Sequence, residues 1–272
     1  GSSNTSLGFN SLASNTTASN NTAIGTSVLL TNTTGYDNTG IGFQALYYNT
    51  DGYDNTALGV NALFNNTTGE LNVAVGRSAL ENNTTADSNN AFGRRALYAN
   101  TTGAQNSAFG YLALYQNTTA SYNTAIGTSS MQNNTTGANN TALGYTALDA
   151  CTTGPANTAV GKGSGGVITT GADNVCVGSE AGDNLTTGSQ NIMLGNSTSL
   201  SAAGGTNQSC LGINVTCVGN GNFTFGDGTV DSNIANGATS ITAPSDVRLK
   251  EDIQDEEVGL DFINDLRPVT FQ

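Results

Sequence analysis

Every seventeenth position along most of this chain is a glycine, from Gly8 to Gly212, without an insertion or deletion. The 13 glycines in this register are Gly8, Gly25, Gly42, Gly59, Gly76, Gly93, Gly110, Gly127, Gly144, Gly161, Gly178, Gly195 and Gly212. A fixed short period is typical of a solenoid, in which each repeat forms one coil stacked on the coil before it. The spacing therefore predicts that residues 1–212 form a rod of 17-residue coils.

The residues between the glycines indicate strands and turns rather than helices. Asn, Thr and Gly are poor helix interiors, and a repeat of this length is too short for two helices with their turns. Short alternating runs such as Asn55–Leu58 predict strands, and the recurring Asn-Thr-Thr-Gly predicts a turn. We expect an all-β solenoid, or β-roll, with about two short strands and two turns in each coil.

The apolar residues of each coil form a small and regular set. We expect the residue before the glycine, the leucine four residues after it (Leu80 in a central coil) and two alanines to be buried. This set is small for a stable core, so burial between chains is expected to contribute. The alanines of the strand pattern predict a flat face for close approach of a second chain: Ala57, Ala74, Ala91, Ala108, Ala125 and Ala142.

Composition excludes several classes of function. The net charge is −13 and only 7 residues are Lys or Arg, which argues against nucleic-acid binding because that needs a basic surface. No run of about 20 apolar residues is present, so no membrane insertion is expected. The absence of His rules out a Ser-His-Asp triad and, without paired Cys-x-x-Cys motifs, makes a zinc site unexpected. We therefore expect no metal and no cofactor.

The 4 cysteines are predicted to be small buried residues. Cys176 and Cys210 share one position of the repeat but lie two coils apart, beyond the reach of a disulfide. Cys151 takes the place of the turn asparagine, away from both.

Stacked aromatic residues are the first candidate binding site. Five residues after the glycine stand Tyr47, Phe64, Tyr98 and Tyr115, with Glu81 interrupting the series. One residue after the glycine stand Phe9, Phe43, Tyr111 and Tyr145. Stacked rings on a rod can bind sugars or pack between chains, and both interpretations stay open.

Two further activities fit the pattern less well. Asp37 and Asp54 stack one coil apart with Asp51 nearby, and paired carboxylates can act as in a glycosidase, but a solvated acidic edge is the interpretation we favour. A ladder of threonines from Thr16 to Thr186 resembles an ice-binding array. Its threonines come in consecutive pairs, however, and a flat array needs Thr-x-Thr. We therefore expect no enzyme, and ice binding ranks third among the functions considered.

The repeat thins after Gly195, and residues 213–244 are expected to form a degenerate transition that ends in a linker. The glycine spacing drops to 7 at Gly219 and Gly226, which leaves half-coils that would need walls from three chains. Residues 245–272 carry 11 charged residues and no repeat. Apolar residues at helical spacing predict a short helix from about Asp255 to Leu266, which Pro268 would end.

The last segment carries a resemblance. Ser245 opens the run Ser-Asp-Val-Arg-Leu-Lys-Glu-Asp-Ile, and Gly259 opens Gly-Leu-Asp-Phe-Ile-Asn-Asp-Leu-Arg-Pro-Val-Thr-Phe. Together they resemble the start of the endosialidase-type C-terminal intramolecular chaperone, found on bacteriophage tail fibres and tailspikes and on some bacterial adhesive fibres. The resemblance implies trimerisation followed by self-cleavage of the Pro244–Ser245 bond. In that cleavage the Ser245 hydroxyl would be the nucleophile, and Lys250 would assist as the base that removes its proton. We expect residues 245–272 to correspond to the start of that domain only.

The repeats carry a second resemblance. The units Asn-Thr-Ala-Ile-Gly and Ala-Leu-x-x-Asn-Thr-Thr-Gly are similar to those of many predicted tail-fibre proteins. The Ala-Ile-Gly element is also similar to the heads of trimeric autotransporter adhesins, which are left-handed β-rolls packed as trimers. We therefore expect a homotrimeric fibre of a virion, or of a cell surface, that attaches to a host glycan or protein. A phage tail fibre is the first choice, and a bacterial surface adhesin is the alternative.

Overall fold

A computed structural model describes residues 1–235 and 237–238 of the chain. The described residues contain strands and turns and no helix, which confirms the all-β solenoid. A 15-stranded sheet runs through them with its strands in chain order. Residues 245–272, with Ser245, Lys250 and the helix expected over 255–266, lie outside the described residues.

The strands are short and evenly spaced. Their bounds are β1 Thr5–Leu7, β2 Thr22–Ile24, β3 Thr39–Ile41, β4 Thr56–Leu58, β5 Val73–Val75, β6 Asn90–Phe92, β7 Ser107–Phe109, β8 Thr124–Ile126, β9 Thr141–Leu143, β10 Thr158–Val160, β11 Val175–Val177, β12 Ile192–Leu194, β13 Ser209–Gly212, β14 Asn222–Gly226 and β15 Ser232–Ala235. From β1 to β13 each strand pairs in parallel with the next, residue for residue at the repeat spacing, as Thr56 does with Val73.

The expectation of two strands per coil was wrong, because each coil holds one strand and the rest is turn. In a central coil Asn61, Leu63 and Leu71 have φ angles of 57°, 51° and 58°. These left-handed residues recur at the same positions in most coils. A left-handed residue breaks an extended run, so the backbone keeps turning and no second strand forms.

The repeat glycine is required by a close approach between coils. Gly76 has a φ angle of 131°, and a Cβ there would lie 2.7 Å from both the carbonyl carbon and the carbonyl oxygen of Gly93. A side chain is excluded both by this backbone conformation and by the next coil. Since every coil meets its neighbour in this way, the glycine must recur at each turn of the rod.

The core runs along the rod axis and is made of alanine and leucine. Ala74, in the middle of β5, is fully buried together with Ala79 and Leu80 from the following turn. The strand alanines are therefore not a face for a second chain, contrary to the prediction from the sequence. The residue before the glycine was expected inside, yet it faces outward: Leu143 is 45% exposed. Alternation in a three-residue strand explains both corrections, since only the middle side chain points inward.

Two ladders of buried asparagines join the coils. Before each strand, an asparagine such as Asn72 accepts a hydrogen bond at Oδ1 from the backbone N–H of Asn89 (3.0 Å) and donates from Nδ2 to the carbonyl of Ala86 (2.9 Å). In the turn, Asn83 donates from Nδ2 to Oδ1 of Asn66 (2.9 Å) and to the same Ala86 carbonyl (2.9 Å). These bonds satisfy groups that would be costly to bury unpaired.

The core changes its composition after Cys151. Where earlier coils carry a buried leucine four residues after the glycine, Gly165 and Gly182 stand. Ile168 and Leu185, which occupy the place of the turn asparagine, are fully buried instead. The apolar volume thus moves from one position of the coil to another.

The last coil is shortened. Ser209 of β13 pairs with Phe223 of β14, so this coil is shorter than the repeat, and β15 then pairs with β14 in antiparallel fashion. The sheet therefore continues through β14 and β15, within the segment 213–244. Cys210 and Cys217 form a disulfide with a Cα–Cα distance of 5.6 Å. The sequence did not predict this bridge, whose second cysteine, Cys217, lies in the shortened coil.

Candidate functional site

The outward residues before the repeat glycines form an apolar line along the rod, which we name the apolar ridge. Its members are Leu7, Ile24, Ile41, Leu58, Val75, Phe92, Phe109, Ile126, Leu143, Val160, Val177, Leu194 and Leu211. None of them is buried, and Phe109, Ile126 and Leu143 are 39%, 40% and 45% exposed. The rings of Phe92 and Phe109 stack with their centroids 4.8 Å apart. The ridge is continuous because every strand from β1 to β13 offers one apolar side chain at the same register.

The positions one residue after the glycines flank the ridge. Tyr111 and Tyr145 are 44% and 56% exposed there, as expected for a surface aromatic column. The Arg94 guanidinium lies over the Tyr111 ring, 5.8 Å from its centroid. Exposed rings beside an exposed aliphatic line widen the apolar surface on this side of the rod.

The predicted column of Tyr47, Phe64, Tyr98 and Tyr115 divides into two stacked pairs. Tyr47 and Phe64 have ring centroids 5.1 Å apart, and Tyr98 and Tyr115 have theirs 5.3 Å apart. Glu81 separates the pairs, and all four rings are half-buried. The column lies along one side of the rod, as the period predicted.

Tyr48 joins the first of these pairs, which the sequence analysis missed. Its ring meets Tyr47 edge-on at 4.6 Å between centroids and Phe64 edge-on at 5.1 Å. Tyr48 is 45% exposed. The adjacent Tyr47-Tyr48 pair in the sequence was the available signal, because neighbouring outward turn positions can hold both rings on one side.

A groove with a volume of about 720 Å³ lies beside this cluster. One wall is a column of turn threonines, Thr50, Thr67, Thr84 and Thr101. The other wall, two residues earlier in each coil, is formed by Thr31, Tyr48, Asn65, Asn82 and Ala99. Both walls consist of residues spaced by the repeat, so the groove runs along the rod axis across several coils. We name it the threonine groove.

The hydroxyl groups of the threonine wall are already used as donors. Thr67 donates from Oγ1 to the carbonyl of Thr84 at 3.0 Å, and Thr84 donates to Thr101 at 3.1 Å. The same bond recurs from Thr16 to Thr186. To a bound ligand, these side chains present the lone pairs of their hydroxyl oxygens and their methyl groups, but few free hydrogen-bond donors.

The acidic residues do not assemble a metal site among residues 1–235 and 237–238, where no group of three or more Cys, Asp or Glu is placed to hold an ion. Asp37 and Asp54 are exposed and take the left-handed turn position, with φ angles of 55° and 53°. Asp149 differs, because its carboxyl is half-buried, its Oδ1 atom has no hydrogen-bond partner, and burial raises its pKa.

The two unbridged cysteines are buried thiols. Burial raises the pKa of Cys151 to about 11 and that of Cys176 to about 12. A thiolate is the reactive form of cysteine, so both side chains are inert at neutral pH. Neither is suited to act as a nucleophile.

Comparison of the chain with protein-family models, with curated proteins and with solved structures gives no match. Within the described part of the chain, none of the elements is a helix that could cross a membrane. The assignment of a role therefore rests on the surface features described above.

Proposed function

We propose that this chain is a segment of a homotrimeric fibre, of the phage tail-fibre type, that attaches to glycans on a host surface. In this proposal the apolar ridge is where the three chains meet. The role is adhesive and mechanical. Self-cleavage at Pro244–Ser245, implied by the resemblance of residues 245–271, would be its only covalent step.

The observation that carries this proposal is the length of the apolar ridge. Thirteen strands at about 4.8 Å make it roughly 60 Å long. Single exposed apolar residues are normal on a soluble protein, but a contiguous apolar patch of several hundred Å² marks an interaction site. Leu143 and Leu211 remain 45% and 46% exposed in the single chain.

A second copy of the same chain fits this ridge better than an unrelated partner does. The ridge repeats at every strand, so an identical parallel ridge meets it in register along the whole rod. Cyclic symmetry closes such an assembly and leaves no apolar ridge uncovered. The number three comes from the resemblance of residues 245–271 to a domain that trimerises fibres. Three copies would also multiply weak glycan contacts into firm attachment.

The test is sedimentation of the full chain and of a variant with a charged ridge. Ile126→Asp combined with Leu143→Asp places carboxylates where chains would meet, and it is expected to convert a trimer into monomers. The substituted side chains are outward-facing, so the circular dichroism spectrum should keep its strand signal. Tyr122→Asp is the matched control, since Tyr122 is 57% exposed at a position outside the ridge.

Two results would contradict the proposal. If the parent chain sediments with the mass of one chain, the proposed trimer is contradicted. A trimer that is unaffected by both ridge aspartates would show that the chains meet through another face.

A further inference from the structure

We propose that the threonine groove binds a neutral linear glycan that lies parallel to the rod axis. This inference rests on the proposed attachment to glycans and names the site for it. It does not depend on the number of chains in the fibre, because every lining residue comes from one chain.

The groove is periodic. Its walls present the same kind of side chain at each coil, as Thr67, Thr84 and Thr101 do on one side. From the coil of Thr31 to that of Ala99 this pattern extends for roughly 19 Å at the strand spacing of about 4.8 Å. A polymer of repeating units with a spacing of the same order can make equivalent contacts at successive coils. Linear glycans have that character.

An aromatic platform lies near one end of the groove. Tyr48 lies in the groove wall, 45% exposed, and is held edge-on by Tyr47 and Phe64 at centroid distances of 4.6 and 5.1 Å. An exposed ring that is already fixed loses little conformational freedom when a ligand stacks on it. The apolar C–H face of a sugar ring suits such a surface.

Oriented polar groups line the wall that contains Asn65 and Asn82. Asn65 donates from Nδ2 to Oδ1 of Asn82 (3.1 Å), and Asn82 donates from Nδ2 to the carbonyl of Tyr98 (2.9 Å). These bonds fix both amides in place. The hydroxyl groups of the threonine wall already donate their hydrogens to backbone carbonyls, so their oxygens act as acceptors. Sugar hydroxyls both donate and accept, and they can therefore bond to either wall.

Charge selects the class of glycan. All residues that line the groove are uncharged. Glu81 precedes Asn82 in the chain, and the net charge of the protein is −13. An acidic polymer would add like charge to this acidic protein and would find no basic residue among those that line the groove, which is unfavourable. A neutral glycan meets no such penalty.

The groove ends where longer side chains begin. After Ala99 the same position is held by Gln116, whose Nε2 atom donates to Oδ1 of Asn133 at 3.0 Å. This difference offers a substitution that the fold already tolerates at the equivalent place. Ala99→Gln should narrow the groove without disturbing the coil.

The experiment measures binding of the full chain to soluble glycans by titration calorimetry. The neutral probes are linear α-glucan, β-glucan, galactan and mannan, and the acidic probes are polygalacturonate and hyaluronan. We expect at least one neutral probe to bind. Tyr48→Ala should weaken that binding about tenfold through loss of stacking, and Ala99→Gln should weaken it as well. Tyr122→Ala is the control and should bind like the parent.

The remaining outcomes overturn the inference. These are binding to none of the neutral probes, binding to acidic probes only, and neutral binding that survives both groove substitutions. If Tyr48→Ala instead lowers the sedimenting mass, the groove is a chain contact and not a glycan site. Because mass and glycan binding are measured separately, failure of the groove and failure of the fibre proposal can be told apart.

Discussion

The coils before residue 150 fill their cores with a leucine, or with Met131 in one coil, held in a left-handed backbone conformation, whereas the coils of Gly165 and Gly182 fill theirs with Ile168 and Leu185. Leu80 represents the first kind, with a φ angle of 50° and no exposed surface. In the second kind, a glycine takes over the left-handed position and the apolar side chain moves three residues along the coil. The strand register is the same in both.

The difference shows which features of a coil are needed and which can be replaced. Apolar volume inside each coil is kept in both regions, while the turn asparagine ladder is lost in the second. The ladder stops where Cys151 stands in place of the next asparagine, which leaves the buried Oδ1 atom of Asn134 without a partner. Packing of the core is therefore the stricter requirement, and the second hydrogen-bond ladder is an addition to it.

The largest expected effect comes from the repeat glycine, which both regions share. Gly76→Ala should destabilise the rod by more than about 4 kcal/mol, since its Cβ meets the backbone of Gly93. Gly163→Ala is the matched substitution at a replaceable position, where φ is 63° and a Cβ contacts only the Cγ of Glu180, at 3.4 Å. It should cost about 1–2 kcal/mol from backbone strain alone. Urea unfolding followed by circular dichroism measures both, and equal effects would contradict the comparison.

The next effect tests the leucine core directly. Leu80→Ala should cost about 2–5 kcal/mol because it leaves a cavity between coils that are packed on both sides. Leu12→Ala should cost less, since Leu12 lies in the first described coil and is only partly buried. The free energies of unfolding of the two variants decide this. A negligible change at Leu80 would show that the leucines carry little of the stability.

A double substitution tests whether the two kinds of core exchange for one another. Gly165→Leu alone should destabilise, because a Cβ at this glycine lies 3.0 Å from both Ile168 Cδ1 and Leu148 Cδ2. Adding Ile168→Asn empties the occupied space and rebuilds the arrangement of the earlier coils. The double variant should recover part of the loss, with a coupling of about 0.5–3 kcal/mol in a double-mutant cycle. Strictly additive effects would show that the two positions do not share one space.

The sequence predicted the solenoid and its period, because only glycine fits the contact made at Gly76. It did not reveal which apolar residues lie inside. Ala57 and Leu58 are neighbours in one strand, and general hydrophobicity favours burying the leucine. The structure buries the alanine, because Asn55 has the same inward orientation and its side chain bonds to the next coil, donating from Nδ2 to the carbonyl of Gly69 and accepting at Oδ1 from the backbone N–H of Asn72. The sequence pattern alone does not show whether a leucine faces outward or lies in the core.

The candidate site was predicted in part. The period identified the stacking of Tyr47 on Phe64, but not the groove beside it. The groove depends on the small size of Ala99 and on the side-chain orientation of a left-handed turn, which the number of residues between glycines does not show. The Cys210–Cys217 disulfide was missed for a related reason, since it depends on the one coil that departs from the period.

A smaller effect is expected at the junction of the two regions. Burial raises the pKa of Asp149, so the folded protein binds its proton more tightly than the unfolded chain does. Stability from this group is full below its ordinary pKa of 3.8 and is lost as pH rises through the raised value. Asp149→Asn should therefore be more stable than the parent at pH 7, with the difference vanishing below pH 3.8. Denaturant unfolding at both pH values tests this, and an unchanged difference would contradict it.

The smallest effect concerns the thiols of the second region. With pKa values of about 11 and 12, Cys151 and Cys176 should not react with a thiol reagent at pH 8 in the folded protein. Unfolding without reductant should expose the thiols of Cys151 and Cys176 to the reagent, while Cys210 and Cys217 stay bridged. Labelling followed by mass spectrometry counts the modified residues, and rapid labelling of the native chain would show that these coils open readily.

The unbroken register between coils also has a consequence for how such a gene changes. Because each residue pairs with its equivalent in the next coil, as Thr56 does with Val73, an in-frame loss or duplication of one whole repeat leaves the pairing of all other coils intact. Each such event shortens or lengthens the rod by about 4.8 Å. A loss of any other size would rotate the downstream glycines away from their contacts. Recombination between repeats can therefore change the length of the rod in fixed steps, while the packing of each remaining coil stays the same.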